Sequence, residues 1–351
     1  KFEIVDQKKA KVFPNVALFF LEGVVPRAIS AFGKRELVGT PHMDAIAKEG
    51  TVFTQARCHY PSTWDGWFAV CSGRYLRIKE MDTSVGFGNR YTRYNNLHKI
   101  IMKTGEKTGE RRWCHADTSP FYKMLVPYSL RDSEATAWKP DYPTSVSEEE
   151  GELGIWWGDK RNQRMLDFID SLKPGEKFFF CEHMSDTHFP WRKTPIKQAR
   201  KLGFPDGLDQ YAADAILFNG TRDAKYSNYF QTITRMDGQI GQLVKKLKDK
   251  GLYEHTMIII VGDHGCQWWE HEHMYYVSHL YDQSLLLPII IRFPGIPGGN
   301  SVDEPVMQTD IMPTVMELAG LRITNPSSEF PMSCKSLVPL MTGTATEAQK
   351  K

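Results

Sequence analysis

The stretch IIIVGDHGCQWWEHEHMYYVSHLYD, residues 258–282, breaks off an apolar run at Asp263-His264-Gly265 and continues with histidines and acids among Trp and Tyr. A carboxylate beside an imidazole at the end of a buried strand is a donor set for a divalent cation of intermediate softness, such as manganese or zinc. The same letters also describe an aromatic, histidine-rich surface loop. Two further apolar runs end alike: NVALFFL at Glu22, and KFFFCEHM shortly before His188. Singly, each such residue reads equally as a helix cap or a loop solvator. Jointly they point to one site, because parallel strands carry their carboxyl ends to one edge, where ligands bind. A hydroxyl nucleophile is available in HYPSTWDGWFAVCSGRY, which sets Ser62 and Thr63 at a strand-to-helix turn. The amide N–H groups there would stabilise an anionic oxygen, or the two residues simply cap the helix.

Placing these groups together requires a sheet. PNVALFFLEG (14–23), TVFTQARCHY (51–60), EKFFFCEHMS (176–185), TMIIIVGD and LLLPIIIRFPG read as strands. Helices are predicted over 40–50, with Pro41 at the first position and Gly50 as the stop, and over 63–73, 228–251 and 309–320. Strands apolar on both faces, alternating with helices, predict an α/β fold whose central, mostly parallel β-sheet is sandwiched by helices. We expect a single domain over 1–351, with a core at 12–320 and a small C-terminal appendage at 321–351. Residues 74–175 and 186–227 read as long excursions that would cover the strand ends.

Bulk properties narrow the partners. The chain has 351 residues, 41% hydrophobic and 25% charged, which is ordinary for a globular protein. A net charge of only +2 argues against nucleic acid as a partner. No apolar run approaches the roughly 18 residues of a membrane-spanning helix. The polar, basic start KFEIVDQKKAKVFPN is not a signal peptide. Six cysteines without CxxC spacing argue against a structural zinc knot and leave redox state open.

The segments PNVALFFLEG, TPHMDAIAKEGTVFTQARCHYPST…CSGRY, VGDHG, LLPIIIRFPG, DIMPTVMELAG and SLVPLMTG occur in that order. The chain thereby resembles the sulfatase-like branch of the alkaline phosphatase superfamily over nearly its whole length. That resemblance puts the nucleophile ten residues before the glycine of a TGRY-like motif, which here is Thr63 before Gly73. Formylglycine sulfatases carry C/S-x-P-x-R at this point. Thr63 stands at the converted position and Trp67 at the arginine, so an aldehyde nucleophile is disfavoured.

The set Glu22, Thr63, Asp263 and His264 looks most like lipoteichoic acid synthase and related phosphoglycerol or phosphoethanolamine transferases. The resemblance implies those four residues as ligands of one divalent metal ion, Mn2+ first, with Zn2+, Mg2+ or Ca2+ as alternatives. It further implies a phospho-Thr63 intermediate. WCHADTSPFYKM (113–124) is similar to the synthase head-group segment, which makes His115, Tyr122 and Lys123 substrate-binding candidates; Met124 stands where the family has arginine. DTHFPW makes His188 a phosphate contact. His271, seven residues after His264, follows the sulfatase pattern, and His279 would replace the family's lysine.

The expected activity is that of a phosphodiester hydrolase or transferase. A sulfuric-ester hydrolase is the alternative enzyme, and a silent module binding a glycan or lipid head group is the alternative of another class. The partner is a small phosphodiester or a lipid or glycan head group, with a membrane surface reached through substrate or anchor. The resemblance implies an extracellular or periplasmic-facing catalytic domain, membrane-anchored or secreted.

Overall fold

The computed structural model describes residues 2–6, 8, 14–33, 39–75, 97, 100, 113–117, 157–188, 222–268, 270–271, 275–277, 279–323 and 334–350. Its strands are β1 (Phe2–Ile4), β2 (Asn15–Leu21), β3 (Thr51–Phe53), β4 (Ala56–Arg57), β5 (Trp113–Asp117), β6 (Lys177–Met184), β7 (Thr256–Gly262), β8 (Gln267–Trp268), β9 (Tyr275–Tyr276), β10 (Ile289–Arg292), β11 (Asn300–Val302), β12 (Val306–Met307) and β13 (Leu321–Ile323). The helices that matter for the site are α1 (Pro41–Lys48), α2 (Thr63–Ser72), α3 (Trp157–Ser171), α4 (Arg222–Asp249) and α5 (Ile311–Leu318).

Seven strands form the central sheet in the order β11-β3-β10-β7-β2-β6-β5. All seven residues of β2 and of β7 are buried, in keeping with sequences that are apolar after the opening Asn15 and Thr256. Successive side chains of a strand point to opposite faces. On one face Val16, Leu18 and Phe20 meet Trp67, Phe68 and Val70 of α2 with Ile311 and Val315 of α5. On the other, Ala17, Phe19 and Leu21 meet Met43 of α1, Phe168 of α3 and Ile233 and Met236 of α4. The helices thus sandwich the sheet. No helix among the described residues is long and apolar enough to cross a membrane.

Two strand expectations change. The run 51–60 is not one strand: it breaks after Phe53, and β4 leaves the central sheet to pair with β12. LLLPIIIRFPG yields only β10, which runs antiparallel to both β7 and β3. Ile289 pairs with Val261, so the chain re-enters the sheet at the edge where β7 left it. A connection that stays at one edge brings the strand back antiparallel, whereas a parallel partner needs a crossover. The sheet is therefore mixed. The β7-β2-β6-β5 half is parallel throughout.

Register decides what meets at the carboxyl edge. Leu21 pairs with Met184 on one side and Gly262 on the other. The next residues outward are Glu22 and Asp263, with His183 one step inside. The Asp263 amide donates to the Leu21 carbonyl at 3.0 Å, which carries the parallel pairing one residue beyond the strand. At the opposite end of the chain, β13 pairs antiparallel with β1. Leu337 and Met341 also lie buried in the core that faces α2 and α5.

Candidate active site

Helix α2 begins at Thr63, with Ser62 extended before it and Gly73 left-handed after it. Its first turn is pressed onto the end of β7. A Cβ on Gly66 would lie 2.6 Å from the Asp263 carbonyl oxygen, so only glycine permits this approach. The approach brings Thr63, at the mouth of the helix, beside Glu22 and His264.

The four residues expected to act together do meet. Thr63 Oγ1 donates to Glu22, 3.1 Å from Oε2 and 3.3 Å from Oε1, and lies 3.5 Å from His264 Nε2. His264 Nε2 is 3.4 Å from Glu22 Oε1 and 3.4 Å from Asp263 Oδ2. Glu22, Asp263 and His264 are buried, while Thr63 is half-buried and open to a substrate.

Backbone groups aim these donors. Asp263 Oδ1 accepts from the amides of Gly23 and His264, each at 2.7 Å. Its other oxygen, Oδ2, is buried with no hydrogen bond among the described residues. His264 Nδ1 donates to the Gly265 carbonyl at 2.8 Å, which fixes the ring and turns Nε2 toward the two carboxylates. Gly23 takes a left-handed turn (φ 57°) whose carbonyl accepts from Tyr229 Oη at 2.7 Å.

The charges are unbalanced. Burial acts to raise Glu22, but hydrogen bonds from His183 and His264 outweigh it and hold the carboxyl well below its ordinary range. Asp263 is driven well above its range by burial and by the Glu22 charge beside it. Burial disfavours the His264 cation, yet the two carboxylates overcome this and push it up to about 9. Two buried carboxylates and one imidazole offer ligand atoms all within 4.8 Å of one another. With the orphaned Asp263 Oδ2, this oxygen-and-nitrogen set fits a divalent cation.

The substrate-side expectations fare differently. His188 is exposed, and its ring lies 5.3 Å from that of Tyr276, which in turn packs on His264. His271 stacks on Tyr281 at 3.6 Å and His279 lies 6.3 Å from the same ring. Neither makes a described contact with the cluster. The structure does not bring His115 to the carboxyl edge. Its backbone is in register with Phe179, which pairs with Val16, six residues before Glu22. At ~3.3 Å per residue that is about 20 Å away. The resemblance that nominated His115 rested on local letters, and strand register overrides it. Tyr122 and Lys123 fall outside the described residues.

Two residues join the site without a sequence signal. His183, on β6, places Nε2 3.3 Å from Glu22 Oε2 and is buried. It reads in sequence as structural. Tyr276, on β9, donates its phenol to Glu22 Oε1 at 2.6 Å. Trp67 is a core residue, packed edge-on against Phe20 at 4.6 Å.

Residues 14–321 match the family described as Sulfatase. An ulvan-active sulfatase of Formosa agariphila is 22% identical over 357 residues, covering 92% of this chain and 65% of its own length. Arylsulfatase K of Xenopus laevis is 30% identical over 357 residues, covering 89% of this chain and 63% of its own. The chain therefore spans under two thirds of the length of these two relatives. Phosphonate monoester hydrolase of Agrobacterium radiobacter shares the fold, with a TM-score of 0.64 at 18% identity over 95% of this chain and 78% of that one. Neither of these two relatives is a lipoteichoic acid synthase. Matched over most of its length, with its motifs gathered at one sheet edge, the chain belongs to the sulfatase family.

Proposed function

We propose that the chain is a metal-dependent hydrolase of a tetrahedral oxyanion ester, foremost a sulfuric ester on a sugar, with Thr63 as nucleophile. The observation that carries this reading is the Thr63 hydroxyl, 3.1 Å from Glu22 at the start of α2, beside the Asp263–His264 donor pair. The sulfatase family and two sulfatase relatives support the sulfuric ester over the phosphodiester first expected.

Sulfatase-family enzymes are metal-dependent, and Glu22, Asp263, His264 and Thr63 would hold the ion, with Mn2+ the first choice to try. A bound divalent cation would lower the pKa of the neighbouring hydroxyl and offset charge on the ester oxygens. Glu22, held ionised, accepts the Thr63 hydrogen and turns an oxygen lone pair toward the substrate. Amides at the start of α2 face the anionic oxygens, and His188 stands at the rim to meet them. In the first step Thr63 Oγ bonds to the central atom, the ester bond to the leaving oxygen breaks, and the alcohol departs with the threonine proton. Water then attacks the same atom, restoring Thr63 and releasing the oxyanion. A threonine adduct has no second hydroxyl on its reacting carbon, so release goes through attack at sulfur or phosphorus.

One observation favours a second reading. Thr63 with Glu22, Asp263 and His264 is the set that led the sequence to phosphoglycerol- and phosphoethanolamine-type transfer, and phospho-threonine is a competent intermediate for it. An outward-facing domain, secreted or anchored, goes with either reading.

The test uses Mn2+-loaded protein on nitrophenyl sulfate and bis-nitrophenyl phosphate in parallel. Thr63→Ala is expected to lose at least about a thousandfold in kcat, as a lost nucleophile does, with an unchanged unfolding midpoint. Preference for the sulfate supports the first reading and preference for the phosphate the second. Unchanged turnover of both esters by Thr63→Ala would sink the covalent route.

A further inference from the structure

Tyr276 is the one non-glycine among the described residues with a left-handed backbone, at φ 63°. A bulky side chain rarely adopts that conformation, and where it does the surroundings have imposed it. Here the strained backbone serves to aim the phenol. Tyr276 Oη donates to Glu22 Oε1 at 2.6 Å, and the ring stands edge-on to His264 (5.8 Å, 85°) and to His188 (5.3 Å, 66°). One side chain thus spans from a buried carboxylate to the rim of the site.

Glu22 has a long side chain whose head must be fixed for its two oxygens to keep their partners. Oε1 takes the phenol and also lies 3.3 Å from Thr63 and 3.4 Å from His264 Nε2, while Oε2 faces Thr63 at 3.1 Å and His183 at 3.3 Å. At 1% exposure, Glu22 has little water with which to replace a lost donor. Hydrogen-bond partners behind metal-ligating side chains set their orientation and basicity.

We infer that Tyr276 is a positioning residue: its phenol fixes the Glu22 carboxylate so that its oxygens stay directed at Thr63 and at the cation position. This role rests on the metal-dependent reading above. Tyr276 reaches the nucleophile only through Glu22, so its loss should lower kcat with little change in KM.

The test is calorimetric titration of Mn2+ into metal-free wild type, Tyr276→Phe and Tyr276→Gly. The phenylalanine variant keeps the ring and removes only the donor; glycine suits the backbone conformation and removes both. Expected is a 10- to 100-fold weaker Kd in both variants, the usual effect of removing such a partner. A loss smaller than about tenfold, or tighter binding, in variants that unfold cooperatively would overturn the role while leaving the metal reading in place. Wild type that binds no Mn2+ would overturn the metal reading and this role with it.

Discussion

Two buried charged clusters sit near the same sheet edge and are built on opposite principles. Around the end of β6, Arg235 of α4 pairs with Asp186 at 2.7 Å, and Arg161 of α3 donates to the His183 carbonyl and to Ser185 Oγ. Glu182 feels both Arg161 and Asp186. Asp186 is met there by the Arg235 guanidinium and burial favours the neutral form of Glu182, so the protein settles these charges itself. Around the ends of β2 and β7, Glu22 and Asp263 share the His264 imidazole, His183 lies against Glu22 alone, and an Asp263 oxygen is left without a hydrogen bond among the described residues. A buried carboxylate short of counter-charge is neutralised by a proton or met by a cation. The first arrangement holds the fold, and the second is a donor set that fits a divalent cation.

The largest effect should come from breaking the matched cluster. Arg235→Leu leaves the Asp186 carboxylate buried without its guanidinium, a change that costs about 3–5 kcal/mol. Urea unfolding should show that loss with and without added metal. A loss that added metal restored would mean that the two clusters are one system, and the contrast would fail.

The next effect sharpens the other side. Asp263→Asn removes a charge that Glu22 already opposes, so the metal-free chain should be no less stable than wild type. What it should lose is stabilisation by metal. Wild type at a cation concentration a hundredfold above Kd gains about 2.7 kcal/mol by mass action. The measurement is the thermal midpoint of each protein with and without Mn2+. Equal shifts in both would remove Asp263 from the ligand set.

How much of this was legible beforehand follows from where the signals lie. Glu22, Asp263 and Thr63 stand where an apolar run stops or a helix starts, and those boundaries are local. His183 sits inside KFFFCEHM, where its neighbours read as core, and only the pairing of β6 with β2 brings it to Glu22. Tyr276 lies among other aromatics, and a left-handed tyrosine has no letter of its own as a left-handed glycine does. The direction of β10 was hidden for a related reason. An apolar strand reads the same either way, and its direction depends on where the connection from β7 runs. Local letters named the groups that meet at the sheet edge, while long-range register chose the ones packed around them.

The smallest effect separates the clusters by pH alone. Glu182 is buried on β6; burial raises its carboxyl, the nearby Arg161 opposes, Asp186 adds to the rise, and the result is about 8. In the unfolded chain the group titrates near 4.5. Below that value it is protonated in both states and its contribution to stability is fully present. Between the two values the folded chain keeps a proton that the unfolded chain has released, so stability falls as pH rises. Above the folded value the loss is complete. From pH 6 to pH 7 this group alone can remove up to about 1.4 kcal/mol, the worth of one pKa unit. Glu182→Gln carries no such proton, so its unfolding midpoint relative to wild type should climb over that interval. A difference that stays flat would mean that Glu182 is ionised in the folded chain, with its charge met by Arg161. Metal should leave the slope unchanged, since Glu182 lies outside the Glu22–Asp263–His264 donor set.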